Sequence, residues 1–186
     1  MNRDDELSRI RNVADAYGSD ELAGANERYH IHVRDTLIPE AGGKTALELG
    51  CGKGLWTKVL SERYDKVDIV DGSDELLEKV RAENESRRAD IAIHHALVED
   101  FVADSHSHWD HIYLTFLLEH LDNPVAVLKG IHRLLDDGGQ LFIAVPNALS
   151  VHRMVALRMG MIDRADELED KLRVRRERKE EKRREA

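Results

Sequence analysis

The chain has 186 residues, 41% of them apolar and 35% charged, with a formal net charge of −9. That length fits one domain with or without a tail, and the acidic balance argues against a protein that grips nucleic acid through a basic face. Cys51 is the one cysteine, which excludes an internal disulfide framework; with the polar start Asn2-Arg3-Asp4-Asp5-Glu6 it points to a soluble protein of the cytoplasm. The longest nearly apolar run, 112–118, falls far short of the roughly 20 residues that span a bilayer.

Residues 1–43 read as a helical N-terminal cap. Leu7, Ile10, Val13, Ala14 and Tyr17 recur at helical spacing, and a second helix is expected over 21–37, stopped near Pro39 and a Gly42-Gly43 turn. From 44 to 146 short aliphatic runs alternate with amphipathic stretches, and 44–162 reads as the central domain. Strands are expected at 45–49, 66–70, 91–95, 111–115 and 140–145, and helices at 54–63, 74–86 and 124–135. This alternation predicts parallel strands joined by crossovers, and the nearly continuous apolar runs predict a sheet covered on both faces. The fold class is therefore a doubly wound, Rossmann-like α/β sheet of about five strands. Residues 147–162 read as a turn into an amphipathic helix. Residues 163–186 carry ten Lys/Arg and nine Asp/Glu, the pattern of a charged tail that is a solvated helix or disordered.

The informative segment is Ala46-Leu47-Glu48-Leu49-Gly50-Cys51-Gly52-Lys53-Gly54, which follows one expected strand and opens a helix. Gly50 and Gly52 let the backbone turn tightly and approach a ligand, and the helix start offers free N–H groups. Asp71 ends the next strand, where an acid can accept both hydroxyls of a ribose. A helix N-cap is the competing role for Asp71, one that Ser73 or Asp74 can also fill. A dinucleotide fingerprint reads Gly-x-Gly-x-x-Gly, whereas here an acid, Glu48, stands two before Gly50. A carboxylate there repels a pyrophosphate but attracts a cationic amino-acid group. The implied ligand is an adenosine joined to an ammonium and a sulfonium, S-adenosylmethionine. Cys51 fits the loop as a small filler, with no base beside it to make it a nucleophile.

Together these motifs resemble those of class I S-adenosylmethionine-dependent methyltransferases, over about residues 20–162. LELGCGKG resembles the family's first motif and VDIVDGS its second, with Asp71 in the ribose-binding place and Gly72 beside it. The segment HHALVEDF resembles the stretch after strand three, which implies that Leu97 and Val98 flank the adenine and Glu99 lies nearby. DHIYLTFLLEHLDNP resembles the fourth motif, and LLDDGGQLFIAVPN resembles the turn into strand five. LEHLDNP and VPNALSVHR look most like the small-molecule O- or N-methyltransferases of ubiquinone biosynthesis and of sugar or natural-product modification. The family usually continues with further C-terminal strands; this sequence offers only the 147–162 helix and the charged tail, which leaves strand five as an expected sheet edge.

On this reading the donor site comprises Glu48, Gly50, Cys51, Gly52, Gly54, Asp71, Gly72, Leu97, Val98, Glu99 and Tyr29. His120, just after strand four, is the candidate general base, with Glu119 to orient it or to cap the next helix. Asn147, His152 and Arg153 after strand five, and Tyr17 in the cap, are candidates for holding the acceptor; Tyr17, Tyr29 and His30 are candidates for a lid. His106, His108 and His111 are not accompanied by the acid or cysteine that completes a metal site. The expected function is methyl transfer from S-adenosylmethionine to an oxygen or nitrogen of a small molecule, with nucleic acid an unfavoured partner and a homodimer compatible with the open edge. A non-catalytic or truncated methyltransferase-like binding module is the alternative; a nucleic-acid or protein methyltransferase fits less well, because Thr115-Phe116-Leu117-Leu118 lacks the Asn/Asp-Pro-Pro-aromatic pattern.

Overall fold

The computed structural model describes residues 23–38, 43–84, 89–147 and 157–159. Helix α1 (Ala23–Leu37) leads to β1 (Thr45–Leu49), α2 (Leu55–Arg63), β2 (Lys66–Asp71), α3 (Asp74–Asn84), β3 (Asp90–His95), α4 (Val98–Asp104), β4 (Trp109–Thr115), a 3-10 turn (Leu118–His120), α5 (Pro124–Leu134) and β5 (Leu135–Ala144). The strands form one sheet in the order β3-β2-β1-β4-β5, every pair parallel. Residues up to Val145 belong to one compact unit and Pro146 begins a second. No helix among the described residues is long and apolar enough to cross a membrane.

The core forms because successive strand side chains alternate between the two faces. Ala46, Val67, Ile69 and Tyr113 pack against Trp56 and Leu60 of α2 and Leu76, Leu77 and Val80 of α3. Leu47, Leu49, Val70, Ile112 and Leu114 pack against Val98 and Val102 of α4 and Val127, Ile131 and Leu134 of α5. Two polar groups are buried with their partners. Asp68 accepts from the Trp109 indole at 2.9 Å and meets His94 Nε2 at 2.8 Å. The Tyr64 hydroxyl joins His111 Nδ1 at 2.8 Å and the Tyr113 hydroxyl at 2.7 Å.

Strands one to four appear where the sequence puts them, within one or two residues at their starts. Two features differ from expectation. Strand β5 starts at Leu135, not Gln140, because Trp109 pairs with Leu135 before His111 pairs with Gln140. Residues 136–139 bulge opposite Asp110 alone, with Gly138 at φ 78° supplying the left-handed step. The stretch read as a turn is thus a bulge inside a strand. Helix α4 was not foreseen, since it has 7 residues and shows the sheet little beyond Val98 and Val102. The helix expected over 7–17 lies outside the described residues, as does Ser86 at the end of the expected second helix of the sheet domain.

Strand β5 is the last strand of the sheet, and Ile143 is 39% exposed there.

Helices α4 and α5 meet at Gly130, where a Cβ would stand 2.3 Å from Val102 Cγ1. Gly130→Ala gains about 1 kcal/mol of helix propensity. It also overpacks the contact, which costs about 1–3 kcal/mol. The urea midpoint is expected to fall, and adding Val102→Ala is expected to recover part of the loss. A Gly130→Ala protein more stable than wild type would show that the two helices can move apart freely.

Candidate active site

The chain leaves β1 at Gly50, whose N–H is bonded to the Val70 carbonyl at 2.8 Å. Its φ of 79° lies in the left-handed region, and a Cβ there would approach Leu117 Cδ2 to 3.1 Å. Gly54, at φ 76°, directly precedes α2. At Gly52 a Cβ would meet nothing within 4 Å among the described residues. The turn is therefore a shallow backbone cradle over the end of β1.

Asp71, 8% exposed at the end of β2, ties this turn to the next loop. One carboxylate oxygen accepts the Cys51 N–H at 3.0 Å and its thiol at 3.4 Å; the other accepts the Ser73 N–H at 2.8 Å. The cap of α3 comes from Ser73, whose hydroxyl accepts from Leu76 N–H at 3.4 Å. Asp71 is not spent on capping. Its oxygens retain lone pairs for further donors.

Glu48 is buried at 1% exposure. The Thr57 hydroxyl of α2 donates to its Oε2 at 2.6 Å, and its Oε1 is buried with no partner among the described residues. Burial, aided by the nearby Asp71 charge, pushes the Glu48 carboxyl up to about 8. The same burial, with Asp71 and Glu48 close by, pushes the Cys51 thiol well above its ordinary value. That shift disfavours the thiolate a nucleophilic cysteine would need.

After β3, Ala96 N–H bonds the Asp71 carbonyl at 3.2 Å and His95 Nε2 lies 3.2 Å from the Gly72 carbonyl. Leu97 is half-buried at the start of α4, and Val98 sinks into the apolar layer at 6% exposure. Glu99 follows, with Oε1 buried and no partner among the described residues. After β4 comes Phe116, the one described non-glycine residue with positive φ, at 54°. Its N–H bonds the Ala144 carbonyl at 2.7 Å, linking the ends of β4 and β5. Leu117 lies over Gly50, and His30 of α1 sets its ring 4.1 Å from that of Phe116. Burial lowers the pKa of His30 and favours its neutral form.

His120 is half-buried and Glu119 exposed on the 3-10 turn, where His120 N–H bonds the Leu117 carbonyl at 2.8 Å. The cap of α5 is Asn123, which accepts from Ala126 N–H at 3.1 Å, so the capping role considered for Glu119 is filled elsewhere. Tyr29 lies on α1. Tyr17, His152 and Arg153 lie outside the described residues, and exposed Asn147 belongs to the second compact unit. Among the other histidines, His106 and His108 are exposed in a loop, while His111 is engaged by Tyr64.

The C-terminal ends of the strands thus carry Glu48, the glycine turn, Asp71, Gly72, Leu97, Glu99 and the 116–120 segment. Thr57 and Phe116 are the participants the sequence did not single out. Thr57 sits nine residues from Glu48, with no motif to mark the pair. Nothing local in Phe116-Leu117 signals a left-handed phenylalanine.

A family model described as a methyltransferase domain matches residues 23–178. The ubiquinone biosynthesis O-methyltransferase of Xanthomonas oryzae pv. oryzae is 28% identical over 108 residues, 58% of this chain and 45% of that protein. Its counterpart in Xylella fastidiosa is 28% identical over 120 residues, 64% of this chain and 48% of that protein. The chain spans about half the length of the curated relatives it matches. Among solved structures, the N-methyltransferase NodS of Bradyrhizobium japonicum, in complex with S-adenosyl-L-homocysteine, aligns with a TM-score of 0.60 at 12% identity, covering 74% of this chain and 71% of that one. A DhpI-SAM-HEP complex aligns with a TM-score of 0.63 at 19% identity, covering 85% and 72%. These structures share the fold.

Glu48 carries a pH signature of its own. Its folded value of about 8 stands above the ordinary value of 4.5, so between these the folded state holds a proton that the unfolded chain has lost. Stability from this group is full below the lower value and falls as pH rises through the interval, by up to about 1.4 kcal/mol per unit. Urea unfolding of the ligand-free protein from about pH 5 to about pH 8 is expected to show this fall relative to Glu48→Gln, which stays neutral. Parallel curves for the two proteins would remove the argument.

Proposed function

The chain belongs to the methyltransferase-domain family, and we propose that it binds S-adenosylmethionine at the turn 50–54 and transfers its methyl group to an oxygen or nitrogen of a small-molecule acceptor. The observation that carries this reading is the buried Glu48 Oε1, without a partner among the described residues and close to Asp71 and to Cys51 of the glycine turn. An unpartnered buried acceptor calls for a donor, and a cationic one satisfies a carboxylate best.

The residues fit that donor group by group. Glu48 would accept from the ammonium, Gly50 and Gly52 would admit the amino-acid portion close to the backbone, and Asp71 would accept from the ribose hydroxyls. Gly72, Leu97 and Val98 would border the adenine, with Glu99 Oε1 as a further acceptor nearby and Tyr29 of α1 as part of the cover. The bound sulfonium supplies an electrophilic methyl group. The chain's own task is then to align the acceptor and, where the acceptor is a hydroxyl, to take its proton. His120 is the proposed base, positioned by the turn that Leu117 anchors, with Glu119 alongside. Asn147, His152, Arg153 and Tyr17 remain the proposed acceptor-side residues. The net charge of −9 supports a small metabolite over nucleic acid, and O-methyltransferases among the relatives support an oxygen acceptor.

Titration calorimetry with S-adenosylmethionine and S-adenosylhomocysteine tests the donor site. Asp71→Ala is expected to weaken both by about ten- to a hundredfold, the effect of one or more charge-assisted bonds of about 1.5–3 kcal/mol each. A melting curve checks that the variant still folds, since Asp71 also ties down Cys51 and Ser73. No binding by folded wild-type protein would sink the reading.

A screen of phenolic and amine acceptors then tests transfer. With an active phenol, His120→Ala is expected to lower kcat by about a hundredfold or more with KM little changed. Unchanged kcat would dismiss His120 as the base.

A further inference from the structure

We propose that Glu48 makes this site selective for a cationic ligand through proton exchange: its carboxyl is neutral in the free protein and ionises, releasing its proton to solvent, when an ammonium group enters. This inference rests on the donor reading above and adds a proton to its binding equilibrium.

The geometry is that of a carboxyl poorly equipped to hold a charge. Glu48 is 1% exposed, accepts one neutral hydroxyl from Thr57 at 2.6 Å, and leaves Oε1 buried without a partner. The groups around it come from four elements. Strand β2 contributes the Asp71 carboxyl, the turn contributes the Cys51 thiol, β4 contributes Tyr113 in register beside it, and α2 contributes Thr57. Among the described residues Glu48 forms no ion pair with a basic side chain. The Thr57 hydroxyl and, more weakly, its backbone N–H favour the ionised carboxylate, but being out of water and near a second acid outweighs them and favours the neutral form. Burial accordingly moves its titration to about 8.

An ammonium reverses this balance. It supplies several donors and a full positive charge within bonding distance of the orphaned oxygen, and so favours the ionised acid. The exchange balances: the ligand's ammonium keeps its charge, the Glu48 O–H bond breaks with its electron pair left on the carboxylate, and one proton leaves to solvent. A ligand with the same adenosine and thioether but no ammonium has nothing to hold an anion at Glu48, and leaves the carboxyl neutral. The turn would thus distinguish the intact donor from neutral nucleoside fragments by charge, not by shape.

Calorimetry of the full chain at about pH 7, in two buffers of different ionisation enthalpy, counts the protons. S-adenosylhomocysteine is expected to release close to one proton per molecule bound, and methylthioadenosine none. The affinity for S-adenosylhomocysteine is expected to rise by up to about tenfold per pH unit between about pH 6 and 7 and to level off near pH 8. In Glu48→Gln the proton release and this pH slope are expected to vanish, while methylthioadenosine still binds and so reports that the site is folded. Binding of S-adenosylhomocysteine without proton release, or equal release with both ligands, would overturn the inference and leave the donor reading standing. Failure of both ligands to bind the folded wild-type protein would overturn the donor reading and this inference with it.

Discussion

Strand β1 stands in the middle of the sheet, with β2 on one side and β4 on the other. The chain therefore leaves β1 toward one flank, and later leaves β4 toward the other. Between these departures the strand ends are uncovered by any crossover, which is where ligands bind in open α/β sheets. The same parting leaves backbone groups that the sheet cannot pair. Asp71 closes much of that gap by accepting N–H groups from Cys51 on one side and Ser73 on the other. The glycine turn, the start of α3 and the mouth of the site are thus held by one carboxylate.

This arrangement sets two acids close together and largely out of water. They meet the difficulty differently. Asp71 is bonded by backbone donors, which hold an ionised carboxylate well. Glu48 is served by Thr57 alone, through its hydroxyl and more weakly its backbone N–H, and its Oε1 has no hydrogen-bond partner among the described residues. Natural interiors seldom leave a buried polar atom unmatched unless something else completes it. The asymmetry makes Asp71 a fixed part of the scaffold and leaves Glu48 the acid whose charge the fold supports less well. Ser73 makes this division workable, because its hydroxyl takes the helix cap that Asp71 would otherwise supply.

The parts of this structure that were legible in the sequence are those fixed by local demands. Short aliphatic runs alternating with amphipathic stretches marked β1 to β4, because a strand buried on both faces needs little else. Glu48, Gly50 and Asp71 were legible because a turn of positive φ and two strand-end acids have few other uses in combination. The start of β5 was misread for an instructive reason. Residues 136–139 have real turn chemistry, and Gly138 does adopt φ 78°. Pairing of Leu135 with Trp109 nevertheless carries the strand across it, a tertiary contact that no local window contains. Helix α4 is short and opens on Leu97 without a side-chain cap bond, so it lacks the start signal that marks longer helices.

Phe116 shows where local reading ends. A phenylalanine at φ 54° carries strain of about 1–2 kcal/mol, and glycine would relieve it. The conformation is held from outside by the Ala144 carbonyl and by the ring of His30 on α1. What the phenylalanine adds over glycine is an aromatic surface, set between α1 and the end of β4 and followed directly by the leucine that lies over Gly50. Strain of this kind, at the mouth of a site, is maintained by the surrounding fold. The N-terminal helix is thus more than a cover for the sheet edge: it is one of the supports that keep the post-β4 segment in a conformation its own sequence disfavours, and through Leu117 that segment borders the turn where the donor would lie.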